Sequence, residues 1–108
     1  MEQSKILTFI GFSIKARKIK CGVNAVKTLK KAYVLIICST ASKNTFEESV
    51  SLAKKLSSKL IICNDYLLAD VVCKENCKLI ALTDEGLSKA VLEHLDGHFT
   101  EYSGGNDR

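Results

Sequence analysis

No apolar run in this chain is long enough to cross a bilayer; the longest, Ala32 to Cys38, has the length of a strand. Met1 to Lys5 lacks the basic leader and small-residue cleavage site of a secretion signal, so a cytoplasmic protein is expected. No phosphate loop or dinucleotide fingerprint is present, because Gly86, Gly97, Gly104 and Gly105 lack the required spacing. Cys73 and Cys77 have no second Cys or His pair at zinc-ligand spacing, and no metal or cofactor is expected. Acidic residues are scarce in the first third. Residues 1–31 hold eight Lys/Arg against Glu2 alone, a net +7, while the remaining residues sum to −3 and the whole to +4. Such asymmetry points to a one-sided electrostatic surface for a polyanion.

What the chain does hold is enough for one packed domain. Its 108 residues are 46% hydrophobic and 26% charged, ordinary for a globular protein. Five cysteines without a secretion signal read as reduced thiols, with Cys38 and Cys63 sitting inside apolar runs as small buried hydrophobes. Catalytic candidates are limited to Cys73 or Cys77 with His94 or His98, and nothing in the sequence brings them together. Asp84 and Glu85 read as helix-start residues before they read as an acid/base pair. A non-enzymatic protein is expected.

Periodicity predicts the elements. Ser4 caps a helix to about Ala16 whose buried stripe is Ile6, Leu7, Ile10 and Ile14, and Gly11 within it implies close packing. A short strand starts near Ile19, and a second helix runs from Gly22 or Val23 to Lys30 with Val23, Val26 and Leu29 inward. Its polar stripe is Asn24, Lys27, Thr28 and Lys31, at i, i+3, i+4 and i+7. Tyr33 to Cys38 is a strand covered on both faces. A helix with core residues Phe46, Val50, Ala53 and Leu56 or Leu52 ends at Ser57-Ser58. Leu60 to Cys63 is the next strand. Asn64 or Asp65 then caps a helix burying Leu67, Leu68, Val71 and Val72, and a polar loop spans Cys73 to Cys77. Leu79 to Leu82 is a further strand, and Thr83 or Asp84 caps a last helix carrying Leu87, Val91 and Leu95. This alternation predicts a single-domain α/β protein, a three-layer α/β/α sandwich around a small mixed, mostly four-stranded sheet. The domain covers residues 1–97, and 98–108 form a polar tail that frays, with Phe99 and Tyr102 available to dock on the body.

The central stretch is Arg17-Lys18-Ile19-Lys20-Cys21-Gly22-Val23-Asn24. Cationic side chains leading into a helix start form a natural seat for a nucleic-acid phosphate. Backbone N–H groups at Gly22 and Val23 would hold the anion, while Arg17, Lys18, Lys20, Lys27 and Lys31 neutralise phosphates. Asn24 would contact base edges or bridge them to the backbone, and it also reads as a helix N-cap, a role compatible with that contact.

Other motifs fit a known family. They are Phe9-Ile10-Gly11-Phe12 through Lys15-Ala16-Arg17-Lys18, Cys21-Gly22, Ala41-Ser42-Lys43-Asn44-Thr45, Lys74-Glu75, and Ala81-Leu82-Thr83-Asp84-Glu85-Gly86 with Leu87-Ser88-Lys89-Ala90. Through them the chain, from about Leu7 to Leu95, resembles the kink-turn-binding ribosomal proteins of the L-seven-Ae and L-thirty-e superfamily, in particular its bacterial YlxQ type. The resemblance implies the same sandwich fold and an RNA site built from three places. These are Lys20, Gly22 and Asn24 at the second helix; Ser39, Thr40 and Ser42 after the long strand; and Lys74, Glu75 and Asn76 before the last strand. It implies structured RNA, ribosomal or kink-turn-containing, as the partner, with the ribosome as a possible assembly, no membrane partner and a monomeric protein.

The sequence departs from that family at chemically telling places. Where strong binders carry Gly-x-Asn-Glu, the Glu position is Ala25; their Lys six residues after the Gly is Thr28; Ser39 and Thr40 replace acidic residues; and Arg17 replaces a Gly. A carboxylate that accepts from guanine N–H groups selects bases, so its loss weakens base selection more than phosphate attraction. The competing reading is a protein-interaction module on an RNA-associated assembly, with the RNA site degenerate.

Overall fold

The computed structural model describes residues 4–72 and 74–102. Ten elements follow in order: α1 (Lys5–Lys15), β1 (Ile19–Cys21), α2 (Val23–Lys27), β2 (Val34–Cys38), α3 (Lys43–Leu56), β3 (Lys59–Cys63), α4 (Leu68–Val71), β4 (Leu79–Leu82), α5 (Glu85–Glu93) and β5 (Phe99–Glu101). The strands form one mixed sheet in the order β1-β4-β2-β3-β5. Only the β2–β3 pair is parallel, in the register Val34 with Lys59 through Cys38 with Cys63. The β1–β4, β2–β4 and β3–β5 pairs are antiparallel.

β2 is buried at every position because the sheet is covered on both faces. Val34, Ile36 and Cys38 join Ile6, Ile10, Ile61, Ile80 and Val91 in one core. Leu35 and Ile37 point the other way, into a core with Val26, Leu52, Ala53, Leu56 and Leu79. Residues of α1, α4 and α5 therefore cover one face and those of α2 and α3 the other. Three helices start at side-chain caps, where an oxygen accepts one of the N–H groups a helix start leaves unpaired. Ser4 Oγ accepts from Ile6 N, Ser42 Oγ from Thr45 N at 3.2 Å, and Asp84 Oδ2 from Leu87 N at 2.8 Å.

Several expectations change. The sheet has five strands, not four: Phe99 is wholly buried, and the backbone beside it pairs with β3, so residues 99–101 leave the expected tail and become an edge strand. Residues 103–108 of that tail lie outside the described residues. Along α1 the buried positions are Ile6, Ile10 and Ser13, while Ile14 is 38% exposed; the stripe turns toward residue 13, whose hydroxyl donates to Phe9 O at 2.9 Å. Gly11 faces open space, so close packing is not what places it there. α2 stops at Lys27 instead of Lys30, because Thr28 folds its hydroxyl back onto Ala25 O at 2.7 Å. α4 is a single turn without a side-chain cap, and Leu67 before it is 47% exposed. No helix among the described residues is long and apolar enough to cross a membrane.

Candidate nucleic-acid interface

Strand direction decides which predicted residues meet. β1, β2 and β3 run one way and β4 runs against them, so the ends of the first three strands lie beside the start of β4. Two short hydrogen bonds fasten that end. Gly22 N donates to Leu79 O at 2.7 Å, and Cys38 N donates to Lys78 O at 2.7 Å. Consecutive residues at the entry to β4 thus hold both the start of α2 and the turn after β2. Gly22, Val23 and Asn24, then Ser39 and Thr40, then the loop carrying Lys74, Glu75 and Asn76 all occupy this sheet end. These are the three places that the family resemblance implies.

Details at this end differ from the expectation. The N–H of Gly22 is engaged by Leu79, so it is not available to an anion; Val23 and Asn24 carry the free donors of the helix start. Gly22 is the residue preceding α2, with φ 92° and ψ 150°, a conformation suited to glycine. Asn24 lies inside the helix and is exposed, so it is not the cap and its amide faces solvent. Lys27 pairs with Glu48 of α3 at 3.1 Å. Lys20 is exposed at the middle of the β1 edge.

The remaining cations go elsewhere. Lys18 O accepts from Thr83 N, which fixes Arg17 and Lys18 beside the exit of β4, at the opposite end of the sheet. Tyr33 N donates to Leu82 O, and Lys31 Nζ lies over the Tyr33 ring at 5.0 Å from its centre, so Lys31 shares that opposite end. Arg17, Lys18 and Lys31 are therefore separated from Gly22 and Asn24, whereas Thr28, at the end of α2, stays one helical turn from Asn24.

Lys78 is a residue the sequence reading missed. Its Nζ donates to Thr40 Oγ1 at 2.9 Å, and Thr40 Oγ1 also meets Cys38 Sγ at 3.1 Å. Burial raises the Cys38 thiol pKa, but hydrogen bonding from Thr40 and the backbone, together with the Lys78 charge, brings it below the ordinary value. A basic residue directly before a buried strand was the available signal. Ser39 Oγ donates to Asn64 O at 3.2 Å, which ties the turn after β2 to the end of β3.

Among the described catalytic candidates, Cys77, His94 and His98 do not come together. Cys73 lies outside the described residues. Cys77 is buried beside Cys21 and donates to Leu79 O at 3.5 Å; burial, then the neighbouring Cys21, pushes its pKa to about 11. His94 Nδ1 meets Ala90 O at 2.8 Å and its ring packs on Phe9, while His98 Nδ1 pairs with Asp65 at 2.5 Å. Among the described residues, no three His, Cys, Asp or Glu side chains converge as metal ligands.

The backbone is similar to a solved structure described as a protein with unknown function from Bacillus halodurans C, with a TM-score of 0.70 and 21% sequence identity over 84% of this chain and 96% of that one. At that identity the likeness shows the fold alone. No family model matches the chain, and no curated protein does.

Proposed function

We propose that this protein is a non-enzymatic, cytoplasmic RNA-binding protein of the L-seven-Ae and L-thirty-e type, docking structured RNA of the kink-turn or ribosomal kind. The supporting observation is the joint at Lys78–Leu79, which gathers the α2 start, the Ser39–Thr40 turn and the Lys74–Asn76 loop at one sheet end. In this reading Lys20, Lys74 and Lys78 attract phosphates, and the Asn24 amide, free of a capping role, reaches a base edge or the backbone. Structured RNA is read through bulges and unstacked bases, for which short polar side chains beside Lys are adequate chemistry. Filter binding with kink-turn RNA, an unkinked duplex and a single strand tests the reading. Kink-turn RNA should bind most tightly, and Asn24→Ala and Lys20→Ala should each weaken it. Equal affinity for all three RNAs, or no effect of either variant, would sink it.

One observation favours a protein partner instead. The Gly22 N–H and the Thr28 hydroxyl are both used internally, and Ala25 has no carboxylate to offer. Salt separates the two readings. Phosphate binding falls steeply with rising salt, whereas an apolar protein contact does not.

A further inference from the structure

The cations that the fold moves away from Gly22 and Asn24 are not scattered. Ile19, Leu82, Val34 and Lys59 form one transverse row across β1, β4, β2 and β3. Just beyond that row lie Arg17 and Lys18 entering β1, and Lys30 and Lys31 entering β2. The carboxyl ends of α1, α2 and α3 reach the same end of the sheet, and their closing turns add Lys15, Lys54 and Lys55. With Lys59, eight exposed basic residues face three acids there, Asp84, Glu85 and Glu101. Asp84 is occupied in capping α5, and Glu101 pairs with Lys59 at 3.4 Å. None of the other seven cations has a carboxylate partner within salt-bridge distance among the described residues. This end therefore carries more than the whole protein's net +4, and the rest of the chain is close to neutral.

Basic side chains at helix carboxyl ends do offset the helix dipole, which accounts for one or two at each terminus. It does not account for Arg17, Lys18, Lys30, Lys31 and Lys59, which lie outside the helices. Adjacent strands are about 4.8 Å apart, so the row from Lys18 to Lys59 spans roughly 14 Å. Phosphates along one strand of a duplex advance about 3.4 Å each, so the row faces about four of them. We infer that this cationic sheet end is a second docking surface, for the phosphate backbone of a nucleic-acid duplex. It holds that backbone without reading its sequence and lies at the opposite end of the sheet from Asn24. The inference does not depend on the kink-turn reading; if both hold, one molecule bridges a structured RNA element and a neighbouring duplex.

The test is fluorescence anisotropy with a short unkinked RNA duplex and the full chain. Lys18→Gln/Lys31→Gln should weaken duplex binding by about tenfold at low salt and lower the log–log salt slope by about 1.5, since each lost phosphate contact removes about 0.7–0.9 from it. Lys5→Gln/Lys89→Gln removes the same charge from other surfaces and should leave binding unchanged. Kink-turn RNA supplies the distinguishing arm. Lys18→Gln/Lys31→Gln should reduce affinity for both RNAs by a similar factor, whereas Asn24→Ala acts on kink-turn RNA alone if that reading holds. Undiminished duplex binding by Lys18→Gln/Lys31→Gln, equal losses in the Lys5/Lys89 control, or tighter binding to phosphatidylserine vesicles than to duplex would overturn the inference.

Discussion

Ser4 and Asp96 are hydrogen-bonded across almost the whole sequence: the Ser4 hydroxyl donates to Asp96 Oδ2 at 2.7 Å while accepting from Ile6 N. The other Asp96 oxygen accepts from His98 N at 2.8 Å and Phe99 N at 3.1 Å. One carboxylate thus closes the cap of the first helix and shapes the turn into the last strand.

Replacing that carboxylate tests the link. Asp96→Ala strips acceptors from Ser4 and two backbone N–H groups, and should cost about 1–3 kcal/mol in urea unfolding. Burial raises the Asp96 pKa, but the Ser4 hydroxyl and the two N–H groups outweigh it and hold the carboxyl below its usual 3.8. A depressed folded-state pKa means stabilisation that is complete above the unfolded value and lost as pH falls through the folded one. Asp96→Asn should therefore flatten the acid limb of the stability curve. An unchanged acid limb would remove Asp96 from this role.

Two glycines should respond in opposite directions to alanine. At Gly22 a Cβ would meet nothing within 4 Å, but φ 92° with ψ 150° is a region that side chains rarely enter. Gly22→Ala should cost about 1–3 kcal/mol through the backbone alone. Gly11 lies within α1 with equally open space, so Gly11→Ala should stabilise by about 1 kcal/mol. Denaturation midpoints that shift together would contradict this assignment.

Ser88 is 2% exposed on α5, and its hydroxyl has no hydrogen-bond partner among the described residues. A buried unsatisfied polar atom costs about 1–3 kcal/mol, so Ser88→Ala should raise the melting temperature. Phe99→Ala, by contrast, empties a wholly buried position and should cost about 3–5 kcal/mol. A Phe99→Ala protein as stable as the parent would mean that β5 is not part of the cooperative fold.

Thiol chemistry should follow burial. Burial raises the Cys63 pKa to about 11, and Cys77 reaches about 11 as well, while Cys21 is half-exposed. Brief alkylation of the native protein at mildly alkaline pH should label Cys21 first and Cys63 last among these three. Unfolding in urea should erase the order, as peptide mass mapping would show.

The strands were legible because β2, β3 and β4 are short apolar runs that only a doubly covered sheet accommodates, and the caps at Ser4, Ser42 and Asp84 sit where periodicity starts. The end of α2 was not, since Thr28 competes with the backbone through its own hydroxyl, which a count of polar spacing ignores. Nor was the fifth strand, because Phe99 stands alone between polar neighbours and its burial is a tertiary fact. For the candidate site, the three places came from the family resemblance, and the fold brings them to one sheet end, while the cations were overgrouped. Lys18 and Gly22 are four residues apart, yet the strand between them advances about 3.3 Å per residue and carries them to opposite ends. Charge asymmetry along a sequence has no direction in space until strand polarity gives it one.

The pairing of β1 with β4 has a consequence for synthesis. Among the described residues β4 is the sheet neighbour of β1, and the hydroxyl that caps α1 donates to Asp96, far along the chain. A chain growing from its N-terminus makes residues 19–21 long before residues 79–82, so its first strand waits without a partner through most of translation. The β2–β3 pair can form earlier and serve as the template. Nascent chains halted before Leu79 should leave residues 5–21 open to protease, and protection should come late and all at once.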